Sequence, residues 1–238
     1  MKHILLRTPG IDSTIARYYL ERELGIDNLI QVYVNLHHRY AKKEIEALKR
    51  LSEIEGKPIQ FLEAFPITEF EDAFIPARNV LLTTIAANFA GEDCVIYIGG
   101  LADDNVVDNS PVFCEDMSDI LTHYCEKYKV KVMSPFQYRL SKAEIVRWFV
   151  DNIPNAKQIL LNTLSCYDDS SEGHCFRCPA CLRRNVVLFQ VGIVLPFYNK
   201  RLLEIYKTKM EDPTTPYTRE RRKATLKYID YILNNGGK

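Results

Sequence analysis

A parallel, doubly wound α/β sheet is the architecture the sequence predicts, on three observations. Short apolar and β-branched runs alternate with amphipathic helical patterns over the first two thirds of the chain, the order that right-handed βαβ crossovers produce. The first run, Ile4-Leu5-Leu6, meets Thr8-Pro9-Gly10 and then a helical start at Asp12-Ser13-Thr14, so a strand, a tight turn and a helix N-terminus follow one another. Four cysteines crowd into residues 166–181, beyond that alternation, and mark a segment of different construction.

The first helix is expected over about 13–24, followed by a second strand at Leu29–Leu36. Tyr40 to Ile54 places Ile45, Leu48, Leu51 and Ile54 at helical spacing among charges, a helix covering one sheet face. Ile59–Leu62 reads as a third strand and Phe65–Phe74 as a loop or irregular helix. Val80–Ala90, apolar nearly all round, predicts a buried helix. Cys94–Ile98 is a fourth strand ending in Gly99-Gly100, Met117–Tyr128 a helix and Val130–Met133 a fifth strand. Ser134-Pro135 breaks the chain. Ser141 and Glu144 then have capping-box spacing at the head of a helix running to about Asn152. Leu182–Val194 and Leu202–Met210 are expected as helices. A turn-rich linker, Asp212 to Pro216, leads to a basic last helix from Arg219 to Leu233 with its apolar stripe on Leu226, Ile229, Ile232 and Leu233. The division expected is 1–160 for a nucleotide-binding α/β domain, 161–196 for a zinc-binding segment and helix, and 197–238 for a basic helical extension, of which residues 212–238 are expected to be dispensable for folding.

Formal charge balances over the 238 residues, which argues against a dedicated nucleic-acid or membrane-surface protein. Locally it does not balance: residues 197–238 carry ten Lys/Arg against five Asp/Glu, a net +5, suited to a solvated helical tail docked on the domain, with an acidic partner or nucleic acid as the alternatives. No run is long and apolar enough to span a bilayer, and the N-terminal run is short for a signal peptide, so a cytoplasmic protein is expected. Reduced thiols there make the cysteine cluster a metal site rather than a disulfide framework.

Residues able to carry chemistry fall at the ends of the predicted strands, where ligands of such sheets sit. The helix opening at Asp12 aims free N–H groups and a dipole at one point, and the Ser13 and Thr14 hydroxyls add donors, which suits a phosphate; the same residues also serve a plain turn and cap. Asp103, Asp104 and Asp108 follow the fourth strand, where carboxylates hold magnesium, accept substrate hydrogen bonds or line a solvated loop. Lys142 puts a cation in a helix's first turn, unfavourable for the dipole unless an anion is near. Cys166, Cys175, Cys178 and Cys181 supply four thiolates, a closed structural zinc site, with redox thiols or an iron–sulfur cluster as the alternatives.

These motifs, in this order, resemble the PP-loop ATP pyrophosphatases and, within them, the 7-cyano-7-deazaguanine synthase family. Thr8-Pro9-Gly10-Ile11-Asp12-Ser13 is similar to the family's S-G-G-x-D-S loop. Arg78-Asn79 resembles its R-N pair before a buried helix, and the stretch from Pro135 to Ile145 resembles its P-L-x-x-x-S-K-x-E-I with one residue inserted. Thr163-Leu164-Ser165-Cys166-Tyr167 and the run from Cys175 to Arg184 match its T-x-S-C-Y and C-x-x-C-x-x-C-x-x-R zinc segment. The resemblance covers roughly residues 3–195. It implies an adenine nucleotide alpha hydrolase-like PP-loop fold, a structural zinc, ATP with magnesium, and one course of reaction: a 7-carboxy-7-deazaguanine carboxylate is adenylated, ammonia attacks, and the amide is adenylated again and dehydrated to the nitrile. By that likeness Thr8, Gly10, Asp12, Ser13, Thr14, Arg78 and Asn79 bind ATP. Asp12, Lys142 and Asp104 are the catalytic candidates, and Arg39, Asp104 and Asp108 face the substrate. A homodimer is also implied.

The sequence departs from that pattern at three places. Pro9 stands where the family has Gly, which removes an N–H and fixes φ near −65°. Leu36-His37-His38 replaces a family Y-G-Q, although Arg39 persists. Val107-Asp108-Asn109-Ser110 only echoes the family's Y-P-D-C-R, and its Arg is absent. Two further functions are therefore carried beside the nitrile-forming ligase: coupling of the activated carboxylate to a protein amine, as in relatives associated with antiviral defence, and a non-catalytic nucleotide-binding module.

Overall fold

The computed structural model describes residues 1–104, 106–215 and 217–235; Pro216 of the linker and the last three residues of the extension lie outside them. Five strands form one sheet: β1 (Lys2–Leu6), β2 (Leu29–Asn35), β3 (Ile59–Glu63), β4 (Cys94–Tyr97) and β5 (Val130–Met133). They are ordered β3-β2-β1-β4-β5, and every pairing is parallel. The order reverses between β1 and β4, and the loops leaving those two strands open a crevice at the carboxyl edge.

Both faces of the sheet are covered, which is why its strands read as continuous apolar runs. Neighbouring residues of β1 serve opposite faces. Leu5 joins Ile15 and Leu20 of α1 (Ile11–Glu23) and Phe149 of α5 (Lys142–Asn152), while Ile4 joins Ala86 of α3 (Arg78–Ala90) and Met117 and Leu121 of α4 (Pro111–Cys125). The helix α2 (Ala41–Glu55) lays Leu48 and Leu51 on the sheet. Its buried Lys43 donates to the Asp168 carbonyl, tying the sheet domain to the cysteine segment.

The capping box at α5 forms as its spacing predicts. Ser141 N donates to Glu144 Oε2 at 2.8 Å, and Glu144 N to Ser141 Oγ at 3.4 Å; those Ser141 bonds hold the Glu144 carboxyl below the usual range. Other boundaries differ from the sequence reading for local reasons. The helix α4 begins at Pro111, six residues before Met117, because Ser110 caps Phe113 N at 3.1 Å and proline suits the first helical position. For the same reason α7 (Pro179–Phe189) begins at Pro179 after Cys178, and it ends well before Val194. A helix α6 (Ala156–Asn162) lies where no helix was expected. The helix α3 is not buried all round, since it leaves Val80 and Phe89 exposed while Ala86, Ala87 and Ala90 pack inward. Phe65–Phe74 is irregular and carries no helix.

The C-terminal helices α8 (Lys200–Glu211) and α9 (Arg219–Asn235) share one core with the cysteine segment. Tyr228 and Ile229 are fully buried against Cys181 and Leu182. Tyr228 Oη donates to the Leu195 carbonyl at 3.0 Å and accepts from Asn185 Nδ2 at 3.1 Å. The buried stripe runs through Thr225, Tyr228, Ile229 and Ile232, with Leu233 exposed, so it is turned from the one expected. Burial on this scale changes the expectation that the extension can be removed without consequence.

Candidate functional site

The residues between β1 and α1 build the floor of the crevice. Gly10 precedes α1 with no side-chain cap, so the amides of Ile11, Asp12 and Ser13 have no acceptor within the helix. Pro9 contributes no N–H; its carbonyl instead accepts from Leu164 N at 2.8 Å, joining the loop to the segment that leads into Cys166. The hydroxyls expected to face a phosphate turn inward. Ser13 Oγ donates to the Thr8 carbonyl at 2.7 Å and accepts from Thr8 N at 3.1 Å. Thr14 is fully buried, and its Oγ1 donates to the Gly10 carbonyl at 2.8 Å. The loop's outward donors are therefore backbone amides, and the two hydroxyls hold its shape.

Opposite the loop, the start of α5 supplies a cation. Lys142 Nζ reaches Asp12 Oδ2 at 2.9 Å, while Asp103 Oδ1 accepts from Lys142 N at 3.0 Å and caps the helix from the neighbouring loop. Asp12 Oδ1 is buried without a partner among the described residues. Asp104 Oδ2 accepts from Leu101 N at 3.0 Å and Asn109 Nδ2 at 2.7 Å. Burial, and next the charge of Asp12, push its carboxyl up to about 6. The strand end that carries this loop is tight: a Cβ on Gly100 would meet the Tyr138 ring at 2.4 Å, so only glycine fits there.

A cavity of about 290 Å³ opens above these groups. Thr8, Gly10, Asp12, Ser13, Lys142, Arg78 and Asn79 line it, as the sequence predicts, and so do Arg7, Arg183 and Arg184, which it did not flag as site residues. Its far wall holds Tyr33, His38, Tyr40, Glu44 and Tyr167. There Tyr33 Oη donates to Glu44 Oε2 at 3.0 Å, and His38 Nε2 lies 3.2 Å from the same oxygen. Five cations against two carboxylates give the cavity a positive potential suited to a polyanion. Arg183 and Arg184 come from α7, so the cysteine segment sets their place. Arg184 donates from Nη2 to the Leu160 carbonyl at 2.9 Å, leaves Nε and Nη1 unpartnered, and is drawn by burial down to about 10.

Besides the inward-turned Thr14, three predicted residues stand away from the cavity wall. Arg39 pairs through Nε with Glu69 Oε1 at 3.1 Å and donates to the Glu71 carbonyl at 2.8 Å, so it fastens the loop after β3, and His38 takes the inward place. Asp108 Oδ2 accepts from Asn79 N at 3.1 Å and its carbonyl from Asn79 Nδ2 at 2.7 Å; it caps α3, whose own preceding residue, Ala77, offers no side-chain cap. Asp104 sits behind Asn109 rather than on the wall. Tyr33, His38 and Glu44 had no motif to announce them. Arg184 belonged to the matched run, and its signal was its place three residues after the last Cys, as in the motif that run resembles.

The four cysteines converge, with one sulfur from each all within 4.8 Å of one another. Hydrogen bonds from Cys178 and Cys181 hold Cys166 far below the usual thiol range, and donating to Cys166 and Cys178 raises Cys181 far above it. Such crowding of thiols is the donor set of a metal ion. His174 Nδ1 lies 3.5 Å from Cys181 Sγ, while its Nε2 is engaged with the Thr163 carbonyl at 2.9 Å.

Comparison with known proteins gives this geometry its context. The family described as "Queuosine biosynthesis protein QueC" matches residues 59–192. The 7-cyano-7-deazaguanine synthase of Methanocaldococcus jannaschii is 28% identical over 228 residues, covering 81% of this chain and 97% of its own. That of Methanococcus maripaludis strain C6 is 29% identical over 231 residues, with 82% and 97% covered. Among solved structures, the U34-tRNA thiolase NcsA from Methanococcus maripaludis with its [4Fe-4S] cluster aligns with 98% of this chain and 73% of its own, at 16% identity and a TM-score of 0.43, too slight a likeness to carry its cluster or substrate across. With more than half of its length matched, from β3 to the residues just past α7, the chain belongs to the family of the queuosine biosynthesis protein QueC, as a divergent member.

Proposed function

We propose that the chain is an ATP-dependent C–N ligase that activates the carboxylate of a 7-deazaguanine. The observation that supports this most is the convergence, at the β1/β4 switch point, of a helix N-terminus, the Asp12–Lys142 pair and four arginines in one cavity. In this reading the amides of Ile11, Asp12 and Ser13 hold the leaving pyrophosphate, and Lys142 and Arg78 neutralise charge as it develops there. The substrate carboxylate oxygen attacks the α-phosphorus and pyrophosphate departs with the P–O bonding pair. Ammonia then displaces AMP from the acyl carbon, and a second adenylation of the amide oxygen permits loss of AMP and protons to give the nitrile. The unpartnered Asp12 oxygen, with Asp104 behind it, fits magnesium, which supplies positive charge to the phosphates when bound.

The four thiolates fit a structural zinc in this reading. Tetrahedral zinc with Zn–S of about 2.3 Å spaces its sulfurs by about 3.8 Å, and Cys175 Sγ and Cys181 Sγ stand 3.9 Å apart. The metal would fix α7 and with it Arg183 and Arg184. Single-turnover release of AMP and pyrophosphate in the presence of 7-carboxy-7-deazaguanine, with mass spectrometry of the product, tests the proposal; absence of any ATP binding overturns it. A second reading, an amine other than ammonia as acceptor, including a protein amine, is favoured by His38 and Glu44, which put an imidazole–carboxylate pair where the family motif has Gln. A conjugate rather than a nitrile in the same mass spectra would select it. Binding without acceptor-dependent pyrophosphate release would leave a nucleotide-binding module.

A further inference from the structure

The most deeply buried ion pair of the chain lies beneath the loop that has lost a donor. Arg7, the residue following β1, has no exposed side-chain surface, and neither does its partner Glu55 at the end of α2; Arg7 Nη2 and Glu55 Oε1 are 3.0 Å apart. From the other side of the same guanidinium, Nη1 donates to Thr14 Oγ1 at 2.7 Å, Ser13 Oγ at 3.4 Å and the Thr8 carbonyl at 3.2 Å. One side chain therefore grips three of the residues that shape the loop. The pair is also oriented: its positive end touches the loop and its negative end points away, toward α2. The other charged or titratable neighbours are Arg17, which pairs with Glu21 at 3.0 Å, and Tyr18. Burying this ion pair is costly in general, and an apolar pair of similar volume would commonly be no less stable. Stability alone thus gives little reason for a charge at this position.

Pro9 gives one. The loop lacks the amide that a glycine would offer at that position, and an anion seated there has one fewer hydrogen bond and a smaller positive potential. We propose that Arg7 compensates for Pro9, as a positioning residue that locks the Ser13 and Thr14 hydroxyls and sets a buried positive charge directly behind the phosphate-binding loop. The inference rests on the reading of this loop as the ATP site. In a water-poor setting a charge acts over several ångströms, so the guanidinium need not touch the phosphate. Glu55 then moderates the charge, enough to let Arg7 be buried without cancelling its effect at the loop.

Calorimetry with magnesium-ATP on four proteins tests this: wild type, Glu55→Gln, Arg7→Met/Glu55→Gln, and that double variant with Pro9→Gly added. The double variant removes both charges together, so no orphaned ion is left in the core. Glu55→Gln, which keeps every Arg7 contact with the loop, is expected to bind more tightly by about threefold as the moderating charge disappears. The double variant is expected to bind about tenfold more weakly than wild type, and restoring glycine at position 9 to recover most of that loss. A purely structural role predicts something else: a lower melting temperature in the double variant with unchanged affinity, and no rescue by Pro9→Gly. That result overturns the inference. If the double variant does not fold, Glu55→Gln decides alone, and unchanged affinity in it overturns the inference. Wild-type protein that binds no ATP removes the reading of the loop itself, a failure distinguishable from the others, and takes the inference with it.

Discussion

The sheet domain and the C-terminal part solve the same problem with different means. The sheet domain has two apolar clusters, one on each face, and can place charged groups such as Asp12, Lys142 and Asp104 at its edge without threatening its core. The C-terminal part, residues 161–235, contributes no strand to the sheet. Its core is a single cluster in which Cys166 and Cys181 sit beside Leu182, Tyr228 and Ile229. Where apolar area is small, cross-links and a few large side chains must carry the stability that a sheet supplies elsewhere. The two parts meet at the cavity, because Arg183 and Arg184 reach it from the smaller part and the Pro9 carbonyl reaches back to Leu164.

Metal removal breaks this comparison most severely. Bound structural zinc commonly carries of order 10 kcal/mol of coupled binding and folding free energy, so a strong chelator, or Cys178→Ser, is expected to unfold the C-terminal part and leave far-UV signal from the sheet domain. Metal analysis together with hydrogen exchange checks it; uniform protection of both parts after metal loss would show the cluster to be dispensable. Next is Tyr228→Ala, which empties a fully buried aromatic site and removes the hydroxyl that joins Asn185 to the Leu195 carbonyl. It is expected to cost about 3–5 kcal/mol, read by denaturant melts, and deletion of 212–238, which removes Tyr228, Ile229 and Ile232 from that cluster, is expected to unfold the cysteine segment while the sheet domain still melts cooperatively.

A smaller effect concerns the site. Asp104 holds its proton up to about 6 in the folded chain, above the value of an unfolded Asp. Its contribution to stability is therefore full below about pH 4 and is lost as pH rises through about 6. Asp104→Asn, which keeps an acceptor for Leu101 N, is expected to gain about 2 kcal/mol over wild type at pH 7.5 and nearly nothing at pH 4. Denaturant melts at the two pH values check this, and the proposed function expects ligase turnover to fall in the same variant. The smallest effect is Ser141→Ala, whose broken capping box should cost about 1 kcal/mol in thermal melts and confine the damage to α5 and its Lys142.

Particular residues show how far the sequence could be followed. Ser141 and Glu144 announced α5 because a capping box acts within four residues. Pro111 and Pro179 also act locally, yet apolar periodicity sets in only later in their helices, and the caps at Ser110 and Cys178 that start them lie outside that periodicity. The catalytic candidates Asp12 and Lys142 were legible as motif residues, and they meet at 2.9 Å across 130 positions. Arg39 was carried over by motif as well, but the loop after β3 supplies Glu69 and draws it off the cavity.

Local sequence specified the succession of the five strands, the placement of a helix N-terminus after the first of them, and the four-cysteine set. Each is specified by short-range periodicity, turn chemistry or spacing, which survive without knowledge of the rest of the chain. Tertiary structure alone decided that Ser13 and Thr14 face inward, that Glu55 pairs with Arg7 from the far end of α2, and that Tyr33, His38 and Glu44 form the far wall. Those outcomes depend on which groups arrive from elsewhere to meet a side chain's hydrogen-bonding and charge requirements. Only the packing of the whole chain fixes that.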